Sequence, residues 1–213
     1  MAATARHRAL LSLVAAALVI GGCGGTTSEG GISGGGKVIG RTVTVYSLTS
    51  DPAGANRDFV DAQKLALSDA GGRAGALAVN FTSLELGDDD TLQAEAVRRA
   101  IADPQIIAAI VDANTVTVPL FNAAGLLQVA PGGDTRLASD PNELPSGKPT
   151  IAVLDPGAAP ADFERRFQQA FGREPGAGAE RGYLAMQSIL KAIADARAGN
   201  DRTSVIDAYL NAT

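Results

Sequence analysis

The sequence predicts an α/β protein whose globular part is a three-layer, doubly wound parallel sheet. Two observations predict this class. Strand-like and helix-like segments alternate along the first half of the globular part, an order that requires right-handed crossovers between parallel strands. One strand candidate, residues 106–111, is a continuous apolar run, which is typical of a parallel strand that is covered on both faces.

The amino-terminal region has the features of an export signal. Arg6 and Arg8 precede an apolar run over residues 9–20, which is shorter than the roughly 20 residues that span a bilayer. The run ends in Ile20-Gly21-Gly22-Cys23, which resembles a bacterial lipobox. We therefore expect a lipoprotein signal peptide over residues 1–22 and lipid attachment at Cys23. Lipidation would hold the exported protein on the outer face of the cytoplasmic membrane, in the periplasm or at the cell surface.

Residues 23–40 are predicted to be a flexible tether, because they are mostly glycine, serine and threonine. Residues 41–213 are predicted to form one domain. Removal of Arg6 and Arg8 with the signal changes the formal net charge from −5 to −7, which argues against nucleic-acid binding. The mature chain lacks histidine, and its one cysteine is Cys23, so catalytic triads and ordinary metal sites are excluded. We expect neither a cofactor nor enzyme activity.

The first half of the domain contains four strand candidates, at residues 42–48, 76–84, 106–111 and 126–130. Helices are predicted between them, at 57–70 before a Gly-Gly stop, at 88–103 and near 115–124. Asp88, Asp89 and Asp90 are favourable at the start of the second helix. That helix is predicted to turn five apolar side chains inward: Leu92, Ala96, Val97, Ala100 and Ile101.

The second half begins with an irregular segment at residues 131–149, which is rich in proline and has no periodicity. A short strand at 150–154 and three helices follow. Phe163, Phe167 and Phe171 recur at every fourth position and predict the buried face of the first of these helices, which ends at Gly172. The second helix is predicted to end at Gly199, and the third begins near Asp201.

The loops that follow strands one, three and four offer a candidate ligand site. Ligands of open parallel sheets bind at the carboxyl ends of the strands, where these loops meet. Seven residues of the loops are candidate ligand contacts: Ser50, Asn56, Asn114, Thr115, Gly132, Gly133 and Thr135. Their hydroxyl, amide and backbone N–H groups suit a carboxylate or a zwitterion. An equally weighted alternative is that these residues are ordinary helix caps and turns.

Several segments resemble type 1 periplasmic binding proteins, in the branch of branched-chain amino acid (Leu/Ile/Val) lipoproteins of ABC importers. The residues that carry the resemblance are 43–47, 62–72 and 122–129 in the first part, with 163–175 and 182–186 in the late part. The resemblance implies a small solute as ligand and an ABC permease as partner. It also implies that the chain forms one lobe of a two-lobed, clamshell-like binding protein. Thr115 would match a ligand-binding hydroxyl of the family, and Gly132 with Thr135 a ligand-binding turn.

The chain also departs from that family. The stretch that builds most of the second lobe is absent, and residues 131–149 stand in its place. Arg181 replaces an aromatic residue of the family. A single lobe would expose surface that a partner lobe covers, which predicts self-association or another subunit. Two alternatives to solute binding therefore remain open: a cell-envelope interaction protein, or a non-functional remnant of a binding protein.

Overall fold

Alternation of side chains along the first strand lets the central sheet build a core on each of its faces. In β1 (Thr42–Thr49), Val43 and Val45 belong to one hydrophobic cluster, and Tyr46 and Leu48 to another.

The structure is a computed structural model, and it describes residues 36–138, 149–155 and 157–212. The predicted signal peptide, Cys23 and residues 139–148 of the irregular segment lie outside the described residues.

The elements follow the predicted order closely. The other strands are β2 (Arg73–Ala74), β3 (Leu77–Glu85), β4 (Ile106–Ile110), β5 (Leu127–Ala130) and β6 (Ile151–Val153). The helices are α1 (Arg57–Asp69), α2 (Asp90–Ile101), α3 (Thr117–Ala123), α4 (Phe163–Phe171), α5 (Ala179–Asp195) and α6 (Arg202–Leu210), with a short 3₁₀ helix at Thr135–Ala138. The second late helix therefore ends at Asp195, earlier than its predicted end at Gly199.

One six-stranded sheet organises the described residues, in the order β2-β3-β1-β4-β5-β6. Every pairing is parallel except the short antiparallel ribbon between β2 and β3. The chain leaves β1 toward β3 on one side and then returns past β1 to β4. All five side chains of β4 are buried, as its apolar run predicted. The predicted doubly wound parallel class is confirmed.

Helices cover both faces of the sheet and complete the three layers. One core cluster joins the sheet to α1, α4, α5 and α6, and a second joins it to α2 and α3. The predicted aromatic stripe of α4 is buried in the first cluster: Phe163 and Phe167 are 5% and 0% exposed, and Phe171 packs against them. The stripe is therefore a structural feature of the core.

Two local expectations differ from the structure. Leu92 does not turn inward with the rest of α2, because its side chain is 49% exposed. It lies in the first turn of the helix, beside the backbone of Gly87, whereas Ala96, Val97 and Ala100 form the buried face. Strand β2 was not predicted, since a strand of two residues leaves no detectable alternation.

Ordered contacts begin before residue 41, within the segment that was predicted to be a tether. The Val38 N–H donates to the carbonyl of Asn200 at 2.7 Å, and the Val38 side chain is buried. Lys37 forms an isolated bridge with Asp201. Among the described residues, no helix combines the length and the apolar character needed to cross a membrane.

Candidate functional site

A cleft of about 590 Å³ lies where the loops after β1, β3, β4 and β5 meet. The order of the sheet explains its position, because parallel strands bring their carboxyl ends to the same edge, and the connections diverge on either side of β1. The loop between α4 and α5 forms a further wall through Ala177 and Gly178. Four of the seven predicted contact residues line this cleft: Ser50, Asn56, Asn114 and Gly132.

Ser50 and Asn56 enclose a tight turn after β1. The Asn56 amide nitrogen donates to the carbonyl oxygen of Ser50 and to the Ser50 hydroxyl, the latter at 3.3 Å. Inside the turn, the Asp51 carboxylate accepts from the Ala55 N–H at 2.8 Å. Asp51 has a φ of 45°, a conformation that asparagine and aspartate tolerate better than most residues. The turn thus presents two polar side chains to the cleft in a fixed arrangement.

Asn114 caps the helix that follows β4. Its Oδ1 accepts from the N–H groups of Val116 and Thr117, both at 2.8 Å, and its Nδ2 donates to Gln93 Oε1 at 3.1 Å. These hydrogen bonds agree with the alternative interpretation, in which Asn114 is an ordinary helix cap. Asn114 and Gln93 nevertheless both line the cleft, so the cap is also part of its wall.

The other three predicted residues have different surroundings. Thr115 is exposed, and the lining of the cleft does not include it. Gly133 pairs with Ala113 in an isolated parallel bridge and has a φ of 90°. Its own side-chain position is filled by the Ala113 backbone, because a Cβ there would lie 2.2 Å from the Ala113 oxygen. Thr135 begins the 3₁₀ helix, and its side chain is outside the described part of the structure.

The floor of the cleft is held by a buried polar group on α3. The Thr117 hydroxyl donates to the Asp112 carbonyl at 3.0 Å and accepts from Gln128 Nε2 at 3.2 Å. It also accepts from the Asn114 N–H at 3.3 Å. Thr117 and Gln128 are both fully buried. Their hydrogen bonds fix the loop after β4 against β5.

The cleft also contains charged residues that the sequence analysis did not assign to it. Arg181, on the first turn of α5, lines the cleft together with Asp88 and Asp112. Arg181 Nη1 donates to the Pro131 carbonyl across the mouth, at 3.4 Å. The only sequence signal for this placement was the replacement of an aromatic residue of the resembling family by Arg181.

Two groups with shifted pKa values, Asp61 and Tyr209, lie on helices, outside the lining of the cleft. Burial acts to raise the pKa of Asp61, but hydrogen bonds from Arg173 and Lys64 outweigh burial and lower it. Burial raises the pKa of Tyr209 in α6. Among the described residues, no group of three His, Cys, Asp or Glu side chains is arranged to hold a metal ion. The polar surface of the cleft thus consists of hydrogen-bonding groups and a few charges.

Comparison with solved structures finds relatives by fold. A leucine-binding protein from Thermotoga maritima has a TM-score of 0.60 at 12% identity, covering 78% of this chain and 87% of that one. A branched-chain amino acid substrate-binding protein from Streptococcus pneumoniae, solved with isoleucine, has a TM-score of 0.58 at 8% identity, over 79% and 87% of the two chains.

A periplasmic ligand-binding protein of a branched-chain amino acid ABC transporter, from Burkholderia xenovorans, has a TM-score of 0.56 at 13% identity, over 80% and 83%. The sequence matches no protein-family model and no curated protein. The similarity thus concerns the fold, and it agrees with the sheet order and the position of the cleft. The described chain has the fold of a single lobe of a type 1 periplasmic binding protein.

Proposed function

We propose that this protein is an extracytoplasmic solute-binding lipoprotein of ABC-importer type, and that its cleft binds a small amino acid of the branched-chain class. The observation that carries the proposal is the cleft at the carboxyl ends of β1, β3, β4 and β5. Side chains from separate loops converge there, among them Ser50, Asn56 and Asn114. This is the place where open α/β sheets bind ligands.

The size of the cleft supports a small ligand. A volume of about 590 Å³ falls within the range of small-molecule sites. Apolar residues contribute to the lining beside the polar ones, including Leu48, Phe59 and Leu86. Hydrocarbon and polar groups in one cleft suit a solute with an aliphatic part and a charged or polar end. Two fold relatives are described as leucine-binding and as bound to isoleucine, which agrees with that chemistry.

The groups that line the cleft favour binding over catalysis. The mature chain has no histidine and no cysteine other than Cys23, so neither an imidazole base nor a thiol nucleophile is available to the cleft. The fold relatives are transporter binding proteins, which points in the same direction. We therefore assign the cleft to recognition of a solute that a permease partner then takes up.

A single lobe changes the expected affinity. The described residues form one sheet, and the cleft at its edge is open on one side, so a ligand in the cleft would keep part of its surface in water. Each tenfold loss of affinity corresponds to a loss of about 1.4 kcal/mol in the free energy of binding. We accordingly expect weak binding, at millimolar ligand concentrations, unless a second copy or another protein supplies the opposite wall.

Calorimetry with the full chain in detergent tests the proposal. We expect heats of binding with L-leucine, L-isoleucine or L-valine, and none with D-glucose. Ala55 lines the cleft, whereas the exposed Ala53 in the same turn does not, so these residues provide a matched pair. Ala55→Trp should abolish the heat and Ala53→Trp should preserve it. Absence of heat with all three amino acids at millimolar concentration would remove the proposed function.

Anchoring requires a separate test. Export, cleavage before Cys23 and acylation of its sulfur are proposed from the lipobox-like sequence 20–23. A diacylated amino-terminal peptide in the mass spectrum of the membrane fraction would support the anchor. An unmodified Cys23 thiol, or a mature terminus elsewhere, would contradict it without affecting the cleft.

A second candidate function, docking of a second copy or another subunit, is supported by a different surface. An apolar groove runs between α1, the β2 ribbon and α5, and it contains Ala70, Ala74, Leu154 and Leu184. Val153 of the edge strand, next to Leu154, is 41% exposed. Sedimentation tests this candidate: a concentration-dependent dimer that Leu184→Glu dissociates would support docking, and a monomer at all concentrations would contradict self-association.

A further inference from the structure

Among the described residues, three charged side chains line the cleft and form no ion pairs with one another. Arg181 carries a positive charge, and Asp88 and Asp112 carry negative charges. All three residues are exposed, and none of them forms an ion pair within the described ranges of the chain. The cleft therefore presents both signs of charge to whatever enters it.

The positive and negative groups approach the same turn from different sides. Arg181 Nη1 lies 3.4 Å from the carbonyl oxygen of Pro131. Asp112 Oδ1 lies 3.1 Å from the position that a Cβ on Gly132 would take. Pro131 and Gly132 are consecutive, and consecutive Cα atoms are about 3.8 Å apart. The two charges thus face the cleft at neighbouring points of one turn.

The start of α5 adds to the positive side. This helix begins at Ala179, has no side-chain cap, and follows Ala177 and Gly178, which line the cleft. The N-terminus of a long helix carries a partial positive charge, which acts together with the Arg181 guanidinium. Asp112 and Asp88 supply the negative charges of the cleft lining.

We propose that Arg181 and Asp112 determine the specificity of the cleft, with Arg181 binding the ligand carboxylate and Asp112 the ligand ammonium group. This inference rests on the proposed function and names the residues that would recognise the charged groups of the ligand. An α-amino acid carries an ammonium and a carboxylate group on one carbon atom, and Arg181 and Asp112 offer the opposite charges beside two consecutive residues, Pro131 and Gly132. A dicarboxylate would place a negative charge against Asp112, and a diamine would place a positive charge against Arg181.

Analogues that lack one charge test the two residues separately. The probes are L-leucine, L-leucinamide, which lacks the carboxylate, and 4-methylpentanoate, which lacks the ammonium group. Arg181→Gln should weaken L-leucine at least about tenfold, because a charge-assisted hydrogen bond is lost, and leave L-leucinamide within about twofold. Asp112→Asn should weaken L-leucine and L-leucinamide but leave 4-methylpentanoate unchanged.

Matched controls separate local recognition from net charge. Arg98→Gln on α2 and Asp207→Asn on α6 make the same charge changes at exposed residues that do not line the cleft. Both controls should bind all three probes like the original protein. Arg181→Lys should retain part of the L-leucine affinity, since it keeps the charge but loses the planar fork.

The outcomes distinguish this inference from the proposed function. If the original protein binds none of the three probes, the proposed function fails and the inference fails with it. If L-leucine binds but Arg181→Gln and Asp112→Asn bind it equally well, only the inference fails. Equal weakening of all probes by Arg181→Gln would also overturn it, because that result would indicate a change of cleft shape.

Discussion

Arg173 and Asp58 join the loop after α4 to the first turn of α1, across 115 residues of sequence. The guanidinium Nε of Arg173 donates to Asp58 Oδ1 at 2.8 Å. Its Nη2 reaches Asp61 Oδ2 at 2.6 Å, and the other Asp58 oxygen accepts from the Gly176 N–H at 2.8 Å. Since Gly176 precedes Ala177 and Gly178, this group of contacts sets the wall of the cleft that leads to Arg181.

Loss of the Arg173 guanidinium should loosen that wall. Arg173→Ala leaves two carboxylates of α1 without their shared partner, and it removes a cation that lies 5.5 Å from the Phe167 ring centroid. We expect the thermal unfolding midpoint to fall by several degrees and the Gly176 amide to exchange its hydrogen faster. Differential scanning calorimetry and hydrogen exchange followed by mass spectrometry measure the two effects.

Arg165 provides the control for this prediction. It lies on α4 and forms an exposed ion pair with Asp162, a kind of pair that contributes little to stability. Arg165→Ala should therefore leave both the unfolding midpoint and the Gly176 exchange rate nearly unchanged. Equal effects of the two substitutions would show that Arg173 does not position the loop.

Stability should depend on pH through Asp61. Its carboxylate is almost completely buried and accepts hydrogen bonds from Arg173 and Lys64, which lower its pKa in the folded state. A group with a lowered folded pKa adds stability above its unfolded pKa, about 3.9, and loses it as the pH falls through the folded value. The protein should therefore lose stability below about pH 4.

Asp61→Asn isolates this contribution. At pH 7 we expect it to lower the free energy of unfolding by about 1–3 kcal/mol, because a charge-assisted hydrogen bond becomes a neutral one. Below about pH 4 the gap between the two proteins should narrow. Urea denaturation from pH 3 to pH 7 measures the gap, with Asp207→Asn as an exposed control. A constant gap over this range would contradict the assignment to Asp61.

Much of the fold could be predicted because its signals are local. The two-sided apolar run of β4 and the aromatic spacing of α4 lie within single elements, and the structure buries both as expected. Ser50, Asn56, Asn114 and Gly132 could be placed together because one topological rule brings loops after parallel strands to a single edge. That rule needs only the order of the strands.

The remaining part of the site depends on contacts that are remote in sequence. Arg181 reaches the cleft because α5 packs on α1 and because the Arg173–Asp58 contact holds the preceding loop, and neither can be read from local pattern. Thr115 showed the opposite difficulty. A hydroxyl after β4 fits a ligand contact in sequence, but Asn114 begins the capping turn there and the lining of the cleft does not include Thr115.

The close approach of α1 and α5 leads to a third prediction. Gly182 lies where the two helices cross, and a Cβ there would be 2.2 Å from the Phe59 carbonyl oxygen. Alanine is usually the better helix residue by about 1 kcal/mol. At this position we expect Gly182→Ala to lower the free energy of unfolding by about 1–3 kcal/mol, because a backbone atom has to move.

Gly157→Ala is the matched control for Gly182→Ala, since a Cβ at Gly157 would meet no atom of the described residues within 4 Å. It should leave stability nearly unchanged in the same denaturant titration. Because Phe59 and Gly178 both line the cleft, Gly182→Ala should also weaken binding of L-leucine. A stabilising effect of Gly182→Ala would show that the helices are farther apart than the structure has them.

Two buried hydroxyl groups should respond in opposite ways to removal, because one has partners and the other does not. The Thr117 hydroxyl makes three hydrogen bonds under the cleft, to the Asp112 carbonyl, the Asn114 N–H and Gln128 Nε2. The Ser47 hydroxyl, on the opposite face of the sheet, has no hydrogen-bond partner among the described residues.

Thr117→Val keeps the side-chain shape, so its effect on stability reports the hydroxyl itself. We expect Thr117→Val to lower the free energy of unfolding by about 1–3 kcal/mol, since the buried Gln128 amide and two backbone groups lose a partner, whereas Ser47→Ala should be neutral or raise stability by up to about 1 kcal/mol. Urea denaturation of both variants measures this difference, and calorimetry with L-leucine should show weaker binding for Thr117→Val alone, because only that hydroxyl fixes the loop that carries Asp112. If Ser47→Ala lowers the free energy of unfolding as much as Thr117→Val does, the Ser47 hydroxyl has a hydrogen-bond partner. The predicted difference between the two hydroxyl groups would then be contradicted.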